Sequence, residues 1–130
     1  MHLKRLLFLQ FIYLAHGIGF NVVSYVSHAA GKSHLSATDP VTGAIVMSIY
    51  GLCLIPGVLR YIKTYRVLML VAIIVFGYSG VVKHVINLIN DPSLYSSIFA
   101  WFSAVGINAF GLVLNIIAAG GWFKDEKVAD

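Results

Sequence analysis

The chain has 130 residues, 59% of them apolar and 11% charged, with a mean hydropathy of +0.87. A soluble domain is about 25% charged, so this composition excludes disorder, a coiled coil, a collagen-like fibre and an ordinary water-soluble enzyme. Nine Lys and Arg against five Asp and Glu give a net charge of +4, but the cations form no single stripe and do not interleave with aromatics on a polar face. Nucleic acid is therefore not an expected partner; the lipid bilayer is.

Crossing a hydrocarbon core takes about 20 largely apolar residues in a helix. Four stretches qualify, at 6–26, 41–59, 67–89 and 94–122. The expected fold is all-α, four antiparallel transmembrane helices in one bundle, forming a single integral membrane domain over residues 1–130.

The first stretch follows Lys4 and Arg5, and Ser27-His28-Ala29 resembles a small-residue cleavage site. A signal peptide usually has an apolar region of about 7–15 residues. This one is longer and carries Gln10, His16 and Asn21, which suits a retained helix packed among others. The connection that follows, 27–40, is the longest and ends in Asp39-Pro40. Aspartate accepts from free N–H groups at a helix start and proline tolerates the first helical position, so this pair should open the second span. The same pair recurs at Asp91-Pro92 and should open the fourth.

The second connection, 60–66, carries Arg60, Lys63 and Arg66. With Lys4, Arg5, Lys124 and Lys127 these put seven cations on one side, against Lys32 and Lys83 on the other. By the bias of cations to cytoplasmic loops, both termini are expected in the cytoplasm. Tyr13, Tyr61, Tyr65, Tyr95, Trp101 and Trp122 fall toward span ends, where amphipathic rings favour the interface.

Residues three and four apart share a helix face. On that spacing the spans align Gly17, Asn21, Ser24 and His28; Ala44, Ser48 and Gly51; Gly77, Gly80, His84, Asn87 and Asp91; and Ala104, Asn108, Gly111, Asn115 and Ala118. Small and polar faces of this kind let helices approach closely and hydrogen-bond to one another. They can also line a polar cavity. At a rise of about 1.5 Å per residue, Asn21, Ser24, Ser48, His84 and Asn87 fall in one layer of the outer leaflet, which is the candidate binding site. His16, Asn108 and Asn115 are expected to be intramembrane polar residues with structural roles. Lys83 is read as an anchor that reaches the outer surface.

Metal and cofactor chemistry find little support. Bis-histidine haem ligation needs two imidazoles at similar depth, whereas His16 and His84 differ by about 9 Å on the helical rise. His28, His34 and Asp39 match no zinc spacing and read as solvated loop residues. The lone Cys53 permits no internal disulfide and reads as a small buried hydrophobe. No metal, cofactor or catalytic residue is expected, and no P-loop, GxGxxG or Gly-x-Ser-x-Gly element occurs. The small size and the lack of eukaryotic targeting elements point to a bacterial inner membrane. The leading expectation is a non-enzymatic accessory or packing subunit, associating through its helices with itself or another membrane protein. The alternatives are a small-solute or ion pathway through the outer-leaflet layer, and an enzyme acting on a lipid or quinone with a histidine acid/base.

Overall fold

A computed structural model describes residues 1–125; Lys127, counted above among the terminal cations, lies outside the described residues. Helices are α1 (Leu3–Ala29), α2 (Pro40–Val58), α3 (Ile62–Phe76), α4 (Lys83–Asn90) and α5 (Ile98–Gly120). A π-helical segment, Gly77–Val82, joins α3 to α4 without interrupting the rod. Four helices, α1, α2, Ile62–Asn90 and α5, are long and apolar enough to cross a membrane. No strand forms among the described residues. Large apolar side chains such as Phe8, Leu52, Ile74 and Phe99 cover the outside.

Contacts run α1 to α2, α2 to α3, α3 to α5 and α5 back to α1. One end of the molecule gathers the chain start, the α2–α3 turn and the end of α5. There Leu3 N–H donates to the Lys124 carbonyl at 2.9 Å, Arg60 meets Asp125 at 2.6 Å, and Arg66 Nε donates to the Ala119 carbonyl at 3.0 Å. The last bond satisfies a carbonyl that the end of α5 would otherwise leave open. Gly121 follows in the left-handed region at φ 70°, where a glycine carries no Cβ penalty. The opposite end gathers residues 30–39 and 91–97, held by Leu35 N–H on Ser24 Oγ at 3.0 Å and Ser96 N–H on the Leu35 carbonyl at 3.4 Å.

Asp39 caps α2 as its sequence implies, its Oδ2 accepting from Thr42 N–H at 2.8 Å. Hydrogen bonds from Thr42, backbone first and then side chain, hold the Asp39 carboxyl below its ordinary range. The matching expectation for Asp91-Pro92 fails. Asp91 caps only the 3-10 turn Pro92–Leu94, after which Tyr95 and Ser97 are extended, and the fourth long helix begins at Ile98 instead of 94. Its cap is Ser97, whose hydroxyl accepts from Ala100 N–H at 3.0 Å. Ser97→Ala is expected to cost about 1 kcal/mol, the usual worth of such a cap, read as a lowered midpoint in detergent unfolding.

The third long helix also differs from expectation. It starts at Ile62, so Lys63 and Arg66 belong to its first turns and not to a connection. Arg60, at φ 62°, turns the chain between α2 and α3, which leaves only a three-residue link. On α2 the buried stripe is Met47, Tyr50, Leu54 and Gly57, not Ala44, Ser48 and Gly51. Tyr50 sets that rotation by reaching Asn115 across the core at 2.9 Å.

Candidate functional site

The core is divided by polarity along its length. Toward the terminal end lies a network centred on Gln10, which is fully buried, and in which only Asn115 Nδ2 lacks a hydrogen-bond partner. Tyr65 donates to Gln10 Oε1 at 2.5 Å, and Gln10 Nε2 donates to Asn115 Oδ1 at 3.1 Å and to Met69 sulfur at 3.2 Å. Tyr50 donates to the same Asn115 oxygen. Tyr13 and Tyr65, expected at interfaces, are buried because their hydroxyls serve this network and its neighbour Asn108. Above it Tyr13, Tyr50 and Phe76 meet edge to face, with ring centroids 5.1–5.9 Å apart. This triad fills the middle of the molecule and separates the network from what lies beyond.

Beyond the triad, toward the loop end, is a cavity of about 360 Å³, within the range usual for small-molecule sites. Its walls come from α1, α2, the π segment, α4, α5 and the 36–39 loop. Asn21, His84 and Asn87 of the expected layer line it, together with Asn108, Asp39 and Lys83. Gly43 and Gly80 are what admit the asparagines, because a Cβ at Gly43 would overlap the Asn21 amide and one at Gly80 the Asn108 side chain. The π segment supplies Ser79 and Gly80 to the wall; π turns inside α-helices recur at functional sites.

Ser24 and Ser48 do not line the cavity. Ser24 is buried and holds the loop through Leu35. Ser48 is exposed and donates back to the Ala44 carbonyl at 2.8 Å, a consequence of the rotated face of α2. Asn115 stays with Gln10 in the terminal half. His16 is exposed, its ring bonded at Nδ1 to the Ile12 carbonyl at 2.8 Å, so it contributes nothing to the core.

His84 is held more firmly. Tyr95, returned by the extended segment after Pro92, places its oxygen 2.7 Å from His84 Nδ1 and donates its own proton to the His84 carbonyl at 3.2 Å. The Trp101 indole N–H donates to that carbonyl at 2.9 Å. Burial pushes the Tyr95 phenol above its ordinary range, and a hydrogen bond from Asn87 acts in the opposite sense. The Tyr95–Trp101 clasp was invisible in the sequence because it depends on the chain leaving helix at Asn90. His28 and His34, expected as separate solvated residues, stack with centroids 3.9 Å apart and planes 19° from parallel. Near-parallel stacked rings cannot both aim a lone pair at one ion, and among the described residues no group of three metal-ligating side chains converges.

No known family, curated protein or solved structure matches this chain.

Proposed function

We propose that this protein is a four-span antiparallel membrane bundle, with both termini cytoplasmic, whose outer half binds a small polar solute. The cavity carries that reading: a space of about 360 Å³ lined by Asn21, Asn87, Asn108 and His84, at the end of the molecule away from the chain start. The opposite half is closed by the aromatic triad and the Gln10 network, so the cavity loads from the outer side only. In a transport cycle this conformation is the outward-facing one. Both termini, Arg60, Lys63 and Arg66 then share the cytoplasmic side, as the cation bias requires, and the apolar exterior faces lipid, as in a bacterial inner membrane.

The test is saturable binding of small polar solutes to protein in lipid nanodiscs, compared with Thr42→Trp, which fills the cavity from its rim. Wild type binds at least one solute saturably and the filled variant does not. Equal signals from wild type, filled variant and empty nanodiscs across the panel would remove the reading.

A second reading, an accessory subunit of a membrane complex, draws on His16. Its Nδ1 must carry the proton it donates to Ile12, which leaves Nε2 as an unfilled acceptor at the middle of α1. A histidine there is costly to expose to hydrocarbon. It borders a shallow groove between α1 and α5 shared with Tyr13 and Gly106. Mild-detergent purification that recovers this chain alone counts against the reading.

A further inference from the structure

Among the described residues, the cavity wall carries two formally charged side chains, and their signs are opposite: Asp39 and Lys83. Lys83 opens α4, whose last residue, Asn90, ends the third span. At about 1.5 Å per residue its backbone lies roughly 10 Å inside the outer end of that helix. A charge at that depth is costly in hydrocarbon, and a lysine there faces a cavity or holds an anionic partner. Lys83 has the cavity but not the partner. Its ammonium makes no hydrogen bond and no ion pair among the described residues.

Asp39 reaches the same space from the start of α2, an element that does not contact α4. The two charges therefore stand apart and do not neutralise each other. Asp39 Oδ2 accepts the Thr42 N–H at 2.8 Å, yet a carboxylate offers about four lone-pair sites, so the cap leaves room for a further donor. The neutral lining suits either sign. Asn21 Nδ2 carries two protons and gives one to the Gly17 carbonyl at 2.8 Å, so its amide keeps both a donor and an acceptor. Asn108 Nδ2 likewise gives one proton to the Ala104 carbonyl at 2.9 Å and keeps the other.

We propose that the cavity takes small zwitterions of the amino-acid class, the carboxylate meeting Lys83 and the ammonium meeting Asp39. A ligand with one charge leaves the other wall group unmatched, and an uncharged ligand leaves both. This inference rests on the cavity being a binding site and goes further by naming the ligand class.

The experiment uses four radiolabelled probes of four carbons, bound to the full chain in nanodiscs and corrected for empty nanodiscs. Two are zwitterions that differ in charge spacing, 2-aminobutyrate and 4-aminobutyrate; butyrate and butylammonium carry one charge each. At least one aminobutyrate binds saturably, about tenfold more tightly than either one-charge probe, between the worth of exposed and buried charge pairs. The variants then separate the two ends. Lys83→Met removes the preference over butylammonium, and Asp39→Asn, which retains a capping side chain, removes the preference over butyrate. A one-charge probe binding as tightly as the aminobutyrates overturns the zwitterion and leaves a binding cavity in place. Equal weakening of every probe in both variants, with preferences unchanged, also overturns it, because it marks a structural role for the two charges. Silence from all four probes overturns the proposal; saturable binding of another solute, lost in Thr42→Trp, would then preserve the cavity as a site.

Discussion

Gln10→Leu is expected to lower stability by about 2 kcal/mol, among the largest effects of any single side-chain exchange in this core. The substitution preserves volume but strands the Tyr65 hydroxyl, which is fully buried and donates only to Gln10 Oε1. An orphaned buried polar group costs about 1–3 kcal/mol, while bonds between helices in a bilayer average about 0.6 kcal/mol with a ceiling near 1.7. Stranding, more than the lost bond, sets the size of the effect. A cycle separates the two. In Gln10→Leu/Tyr65→Phe the stranded hydroxyl is gone, so the double variant is expected to unfold at a higher SDS fraction than Gln10→Leu alone. Strictly additive losses would show that packing, and not hydrogen-bond satisfaction, governs this site.

Gly111→Val is expected to do still more damage, about 3 kcal/mol or a failure to accumulate folded protein. A Cβ at Gly111 would overlap the Tyr13 ring. Tyr13 cannot yield, because its edge and face are fixed against Tyr50 and Phe76. Overpacking a filled core costs about 1–3 kcal/mol when neighbours can adjust, and here they cannot. Gly106 is the control: a Cβ there meets nothing within 4 Å, so Gly106→Ala should gain up to about 1 kcal/mol of helix propensity. Thermal unfolding of both variants in one detergent checks the contrast; equal behaviour would contradict the packing described for α1 and α5.

The four long apolar helices were legible in the sequence because length and hydropathy decide them without reference to neighbours. The stripes on α1 and α5 were legible for a similar reason: Gly17, Ser24, Gly111 and Asn115 are small or polar and all are buried. The stripe on α2 was not. There the inward face is Met47, Tyr50 and Leu54, which look no different from lipid-facing residues, and only the partner across the core, Asn115, reveals the rotation. Gln10 was visible as a polar residue within a span, but its partner Tyr65 was masked by the preference of tyrosine for interfaces. Of the expected polar layer, the cavity unites Asn21, His84 and Asn87 and leaves out Ser24 and Ser48. The departure at α5 has a local cause. Asp-Pro can open a long helix or a single turn, and the extended residues after Leu94 decide between them by delivering Tyr95 to His84.

The most direct test of a cavity open to one side only is thiol labelling in a Cys53→Ser background, with one new cysteine at a time. In sealed vesicles of known orientation, a membrane-impermeant maleimide should label Ser79→Cys only from the face opposite the termini. Leu114→Cys, beside the Gln10 network, should stay unlabelled from either face. Labelling of Ser79→Cys from the terminal face, or of Leu114→Cys from the cavity face, would contradict a sealed inner half.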